Sequence, residues 1–199
     1  MVAPPPAVPV AEAPEAAPPP AGVVPEAPLP PVLEQALVDF QAERYLSVLE
    51  AALPLAEADV RARKLVADSF YNTRRFAEAA SHYEKVLKAE PENAAIARYL
   101  ADAWMQSSDP KRARPLYELL AASNPESSEL VLLAGDAARA SGDPAGAEAS
   151  YEKARKMGVP AAEIDQRLRL LTAAGEGTAK AAEPGPKAPK QHKKQGGEW

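Results

Sequence analysis

Serines, histidines and regularly spaced carboxylates are the side chains of this sequence that could support chemistry. The segments 108–111 and 150–153 both fit S-x-x-K, the spacing of a serine nucleophile and its lysine. Neither has the companion S-D-N or K-T-G motif, and the two histidines, His82 and His192, form no metal-ligand pair. The chain lacks cysteine, which excludes disulfides and thiolate metal sites. The sequence therefore predicts no enzyme, no metal site and no cofactor.

Three aspartates, Asp68, Asp102 and Asp136, recur along the chain at one constant spacing. If they lie at one level of a surface, they predict a ligand with basic or amide donors. The alternative is local pairing, because Lys64 and Arg98 each lie one helical turn before an aspartate. Such pairs contribute only about 0.2–0.5 kcal/mol. Leu132 holds the equivalent position before Asp136 and cannot pair with it.

The same period, about 34 residues, runs through the whole stretch from Val60 to Pro160. It relates Ala67, Ala101 and Gly135; Ala79, Ala113 and Ala147; Tyr83, Tyr117 and Tyr151; and Pro91 and Pro125. A period of this length indicates stacked helical units that bury their apolar faces against their neighbours. The small residues mark places where two helices approach closely, and Phe70, Trp104 and the three tyrosines fill the gaps.

Helix-start and helix-stop signals divide the chain into units. Aspartate followed by proline, at 109–110 and 143–144, predicts an N-cap and a first-turn proline. The predicted ranges are a degenerate helical pair at 32–58, repeats at 60–93, 94–127 and 128–160, and a capping helix at 160–174. The alternative for residues 32–53 is one continuous helix, because they contain no strong breaker. Gly175 is predicted to end the capping helix.

The repeat unit resembles the tetratricopeptide repeat. That family places a small residue and an aromatic in the first helix, alanine and an aromatic in the second, and proline at the exit. The first two units match with Ala67, Phe70, Ala79, Tyr83 and Pro91, and with Ala101, Trp104, Ala113, Tyr117 and Pro125. The third has Ala138 in place of the first aromatic. The resemblance implies an all-α fold, a right-handed α-solenoid of helix pairs.

The resemblance also implies a site, because the first helices of such arrays line a concave groove that binds a partner. The groove positions here are Arg61, Lys64, Asp68, Tyr71, Asn72, Arg98, Tyr99, Asp102, Met105, Gln106, Glu129, Leu132, Asp136 and Arg139. Family members that grip a C-terminal carboxylate use lysine, asparagine and arginine side chains there. Lys64 fits that set, but Asp68 and Tyr99 replace the asparagines. The expected ligand is instead a peptide or helix with basic and apolar residues.

Both ends of the chain differ in composition from the middle. Residues 1–31 hold 12 of the 22 prolines and predict a disordered Ala/Pro-rich linker. Residues 175–199 predict a disordered Lys-rich tail. Residues 32–174 carry 18 basic and 22 acidic side chains, which argues against nucleic-acid binding.

The predicted function is a non-enzymatic scaffold for protein–protein interaction. The alternative is an anchored assembly factor of a bacterial multiprotein complex, because Ala/Pro spacers often join an anchor to a periplasmic repeat domain. The chain as written predicts a cytoplasmic protein without a membrane span. A signal or anchor removed from the N-terminus would make it periplasmic or envelope-tethered.

Overall fold

The computed structural model describes residues 28–181, and the side chains of residues 28–171, as a stack of α-helices without a strand. The helices are α1 Pro31–Gln41, α2 Tyr45–Ala52, α3 Val60–Asn72, α4 Phe76–Ala89, α5 Ala94–Gln106, α6 Pro110–Ser123, α7 Ser128–Ala140, α8 Pro144–Lys156 and α9 Ala161–Ala181. A 3₁₀ turn, Leu53–Leu55, follows α2. Each helix packs mainly against its neighbours in the chain, so the predicted all-α solenoid is confirmed. Most of the linker predicted at 1–31 and most of the Lys-rich tail lie outside the described residues, and Pro31, the last residue of that linker, begins α1.

Residues 31–52 form two helices, so the continuous helix considered for this segment does not occur. The chain reverses at Glu43, whose φ is 58°, in the left-handed region. Arg74, Ser108 and Gly142 take the same conformation in the three repeats, with φ of 60°, 63° and 87°. In all four turns the residue after this position donates a backbone hydrogen bond five residues back, the Schellman closure of a helix C-terminus. Glycine at position 142 is a recognisable sequence signal for a left-handed helix end, whereas the glutamate at the equivalent position 43 is not.

The turn geometry also corrects the alignment of the first pair. The Glu43 N–H donates to the Phe40 carbonyl at 3.0 Å. In the first full repeat, the Arg74 N–H donates to the Tyr71 carbonyl at the same distance. Phe40 therefore matches Tyr71, at the same offset that relates Glu43 to Arg74. The sequence alone suggests a match of Phe40 to Phe70 with one residue deleted. The difference decides which side of α1 faces the groove.

Side-chain caps close three of the four first helices and one of the proline-started second helices. Asp59, Asn93 and Ser127 accept backbone hydrogen bonds at the starts of α3, α5 and α7. Asp143 caps α8 by accepting from Gly146 N–H at 3.0 Å. Asp109 makes no such side-chain bond to α6, so the cap predicted there is absent. The proline at the first position of α6 still fixes a helical φ.

The last helix, α9, continues past the glycine that was predicted to end it. Ile164 is fully buried in the core, and Leu168 and Leu171 pack partly against it. The helix extends to Ala181 through Gly175 and Gly177. Glycine costs a helix about 1 kcal/mol but does not forbid it. None of the helices within residues 28–181 is long and apolar enough to cross a lipid bilayer.

The two helices of the third repeat approach each other closely at Gly135. A Cβ at this position would lie 2.6 Å from Cε1 of Tyr151, which is fully buried and cannot swing into solvent. We expect Gly135→Ala to lower the free energy of unfolding by about 1–2 kcal/mol, since overpacking outweighs the better helix propensity of alanine. Urea unfolding measures the change. An increase in stability would show that the third repeat tolerates the alanine found at Ala67 and Ala101.

Candidate functional site

The three recurring aspartates are each bonded to a tyrosine of the same repeat. Tyr83 Oη donates to Asp68 Oδ1 at 2.7 Å, and Tyr151 Oη donates to Asp136 Oδ1 at 2.8 Å. Tyr117 and Asp102 form the equivalent bond in the middle repeat. Each bond joins the second helix of a repeat to its first helix. These bonds were not predicted from the sequence, although a spacing of 15 residues between aspartate and tyrosine recurs in all three repeats.

The second carboxylate oxygen of each aspartate meets a cation. Lys64 Nζ lies 2.7 Å from Asp68 Oδ2, and Arg98 Nε lies 3.1 Å from Asp102 Oδ2. These are the two local pairs that the sequence suggested. Asp136 lacks such a neighbour on α7, and Arg167 of α9 approaches its Oδ2 at 3.4 Å instead. Both oxygens of each of these three aspartates therefore have a partner within the chain.

Burial beside a carboxylate changes the acidity of the three tyrosines. Loss of solvent is the largest cause and raises the pKa of Tyr83 and Tyr117 well above the usual value for tyrosine. It raises the pKa of Tyr151 to about 12. The aspartates add to the effect, because each favours the protonated hydroxyl that donates to it. These hydroxyls stay protonated at neutral pH and act as fixed donors.

An aromatic cluster lies where the first helices of repeats one and two meet. The rings of Tyr83 and Tyr99 stack with centroids 5.9 Å apart and an interplanar angle of 14°. Tyr71 contacts Tyr99 edge-on at 6.0 Å, Tyr83 at 6.4 Å and Phe76 at 5.4 Å. Tyr83 is buried, whereas Tyr99 is 44% exposed. The cluster therefore presents a tyrosine to solvent on a rigid aromatic base.

A pocket of about 280 Å³ opens beside this cluster. We call it the tyrosine pocket; it is lined by Phe40, Lys64, Asp68, Tyr71, Asn72, Tyr83 and Tyr99. Five of these residues are predicted groove positions. Phe40 and Tyr83 are additions from the structure. Phe40 and Tyr71 are 31 residues apart, as are Tyr45 and Phe76, and this shared spacing is the signal that would have found Phe40.

Most of the remaining charged groove residues are engaged in ion pairs; Arg139 forms none with the described residues. Arg61 binds Asp59, with Nη2 2.8 Å from Oδ2. Arg98 reaches the next repeat, where Nη2 lies 2.8 Å from Glu129 Oε1. Asp102 and Asp136 hold the tyrosine bonds described above. The electrostatic character of the groove is thus largely neutralised within the chain.

Leu132 is a correction to the predicted groove. It is only 8% exposed and belongs to the core that includes Ile164 of α9. The equivalent positions of the first two repeats hold Lys64 and Arg98, whose side chains are more exposed than that of Leu132. Met105 is half-buried against the same core, Arg139 is half-buried, and Gln106 is exposed. The open part of the groove therefore lies toward repeats one and two.

Comparison with known proteins agrees with this architecture. The model of the tetratricopeptide repeat family matches residues 65–128 and 105–162. The chain is similar to a solved structure of MamA AMB-1, with 18% identity, a TM-score of 0.61 and coverage of 76% of this chain and 84% of that chain. For MamA MSR-1 the identity is 16%, the TM-score 0.61 and the coverage 76% and 88%. For MamA 41-end from Desulfovibrio magneticus RS-1 the identity is 17%, the TM-score is 0.62, and the match covers 76% of this chain and 88% of that chain.

At these identities the likeness concerns the fold alone. No curated protein matches the sequence. Residues 65–162 are tetratricopeptide repeats, as the period of about 34 residues also indicates, and the described helices form a solenoid of that kind. A protein-interaction scaffold is the role that this fold supports.

Proposed function

We propose that this chain binds a segment of another protein along its first-helix face, with one apolar or aromatic side chain of that segment seated in the tyrosine pocket. The observation that carries the proposal is the pocket itself. It is open to solvent, it is lined mainly by rings, and it lies at groove positions of two neighbouring repeats. A rigid aromatic anchor of this kind is typical of the residues that dominate binding energy at protein interfaces.

The rim of the tyrosine pocket supplies polar contacts for the backbone of the bound segment. Asn72 Nδ2 donates to the Asp68 carbonyl at 2.7 Å, and among the described residues no donor meets its side-chain oxygen. That oxygen can accept a backbone N–H from an extended peptide. Tyr99 adds an exposed hydroxyl above an apolar ring, a combination suited to mixed interfaces. Shape and aromatic contact therefore carry more of the proposed recognition than charge does.

The expected basic residue in the partner stays a prediction. Asp68 and Asp102 already accept from tyrosine and pair with a cation, so a basic ligand would compete with Lys64 or Arg98. Exposed pairs of this kind contribute at most about 1 kcal/mol. An apolar anchor meets no such competition. The apolar part of the expected ligand is therefore the stronger part of the proposal.

The proposal is non-enzymatic binding, in keeping with the general use of this fold. The positions of the two S-x-x-K serines support non-enzymatic binding, because neither serine lies in a catalytic arrangement of described residues. Ser108 occupies the left-handed position of a turn, and Ser150 Oγ donates to the Gly146 carbonyl at 3.0 Å within α8. Among the described residues, neither serine has a bonded lysine or histidine that could activate it. The location of the protein, cytoplasmic or tethered to an envelope, stays a prediction.

Tyr99→Ala tests the proposed groove. Peptides selected from a random library on the whole wild-type chain serve as probes, and titration calorimetry measures their dissociation constants. We expect Tyr99→Ala to weaken binding by about thirtyfold, because loss of a hot-spot aromatic costs about 2 kcal/mol or more. Leu170→Ala is the matched control, since Leu170 is an exposed apolar residue of α9 that does not line the tyrosine pocket. Equal binding by wild type and Tyr99→Ala would place the peptide site elsewhere.

A further inference from the structure

The second helix of the first pair carries an apolar ridge that the described part of the chain does not cover. Leu46 is 72% exposed and Leu53 is 46% exposed, and the exposed Glu50 lies between them. The positions i, i+4 and i+7 place all three on one face of α2 and its 3₁₀ extension. We call these three residues the α2 ridge. Terminal units of helical stacks normally present a polar outer face, and this ridge does not.

A groove with matching properties lies on the outer side of the stack, between α4 and α6. It has a volume of about 570 Å³ and is lined by Glu84, Leu87, Lys88, Pro91, Leu100, Trp104, Arg112 and Leu116. We call it the outer groove. Trp104 of α5 forms its floor, with the Arg112 guanidinium 4.3 Å from the ring centroid. Leu119 extends the apolar surface along α6 and is 60% exposed.

The outer groove is a feature of this pair of repeats and not of the repeat pattern. One period later, the positions of Trp104, Leu116 and Leu87 hold Ala138, Ser150 and Ala121. One period earlier, Trp104 corresponds to Phe70, whose ring already packs against His82 at 5.5 Å. The sequence therefore concentrates large apolar side chains around the outer groove without filling it.

We propose that the α2 ridge of one copy of this chain docks in the outer groove of a second copy. The ridge presents leucine, glutamate and leucine along two turns of helix, or about 10.5 Å. The groove wall from Glu84 on α4 to Pro91, just after the end of α4, has the same length in sequence. Apolar side chains meet apolar lining in this arrangement, and Glu50 meets the rim.

Charge favours the same pairing. The rim of the outer groove carries Lys88 and Arg112 against the single carboxylate of Glu84, which pairs with Arg112. Lys88 is exposed and forms no ion pair with any of the described residues. It is therefore available to Glu50 of another copy. Two ridges facing each other would instead oppose two glutamates.

The contact joins different surfaces of the two copies. Because α2 is held by α1 and α3 of its own chain, its ridge reaches an outer groove only on another copy. Two copies that each dock a ridge in the other's groove form a closed symmetric dimer. Two copies joined by a single contact keep one free ridge and one free groove, so the assembly can grow into a ring or a filament.

Sedimentation velocity of the full chain over a wide concentration range tests the proposal. We expect the wild type to form concentration-dependent assemblies and Leu46→Glu to weaken association at least tenfold. Leu170→Glu, at an exposed leucine of α9, is the matched control and should associate as the wild type does. A wild type that stays a single chain at millimolar concentration, or a Leu46→Glu variant that associates normally, would overturn the proposal.

Charge reversal identifies the groove without disturbing the core. Glu50→Lys and Lys88→Glu each change an exposed residue, and each should weaken association several-fold. An equimolar mixture of the two variants should associate more strongly than either alone, because each supplies a complementary surface to the other. Circular dichroism confirms that both stay folded. Association by Lys88→Glu at the wild-type level, or a mixture no stronger than its components, would show that the ridge binds another surface.

Discussion

Tyr117→Ala is expected to lower the free energy of unfolding by roughly 3–5 kcal/mol, the range for removing a large buried aromatic side chain. Tyr117 is 1% exposed and packs among residues of α5, α6 and α7. Its hydroxyl also bonds Asp102 on the first helix of its repeat. The variant therefore loses apolar contact and leaves Asp102, a half-buried acceptor, without its tyrosine donor. Denaturant unfolding followed by circular dichroism measures the loss.

Tyr117→Phe separates the two contributions. It keeps the ring and removes only the bond to Asp102, so the expected loss is about 1–3 kcal/mol. A loss below about 1 kcal/mol for Tyr117→Ala would contradict the position of the ring in the helix interface. An equal loss for both variants would mean that the hydroxyl bond, and not the packing, holds the repeat together.

Alkaline pH is expected to destabilise the chain steeply above pH 10. The three buried tyrosines have pKa values above the ordinary value of 10.0, and that of Tyr151 is about 12. The stabilisation that these three tyrosines contribute is complete below pH 10, because their hydroxyls are then protonated in both the folded and the unfolded chain. Above pH 10 the unfolded chain releases protons that the folded chain retains, so stability falls as pH rises. Each tyrosine contributes about 1.4 kcal/mol per pH unit, and the three together about 4 kcal/mol.

Denaturant unfolding at pH 9, 10.5 and 11.5 measures this dependence. Tyr151→Phe is the matched variant, since it removes one of the three ionisable groups and leaves the ring. Its slope against pH should be about one third smaller between pH 10 and 12. A slope unchanged by the substitution would show that the Tyr151 hydroxyl ionises as readily in the folded chain as in the unfolded one.

The two proposed surfaces are on opposite sides of the same repeats. The tyrosine pocket uses Tyr71 and Tyr99 on first helices, and the outer groove uses Leu87 and Leu116 on second helices. A partner segment and a second copy of the chain would therefore not compete for the same side chains. The tyrosine pocket and the outer groove are both lined mainly by the first two full repeats, and the α2 ridge of the first helical pair would occupy the outer groove of another copy.

Several features followed from the sequence because they depend on spacing along a single helix or on a repeated period. The constant period predicts the helix pairs, the small residues at Ala67 and Ala101, and the burial of Tyr83. The pairs Lys64–Asp68 and Arg98–Asp102 are each one helical turn apart, so any helix brings them together. These are local relations, and tertiary packing needs only to preserve the helices.

Other features depend on which helix covers which face, and only the tertiary structure decided them. Leu132 occupies a groove position by period, yet it is buried in the core that also holds Ile164 of α9. Arg167 supplies the cation for Asp136 from a separate helix far along the chain, a separation that no helical spacing encodes. Phe40 reaches the tyrosine pocket because Glu43 adopts a left-handed backbone conformation, which a glutamate does not predict. In each case the deciding contact joins separate helices, and its geometry arises from the packing of the stack.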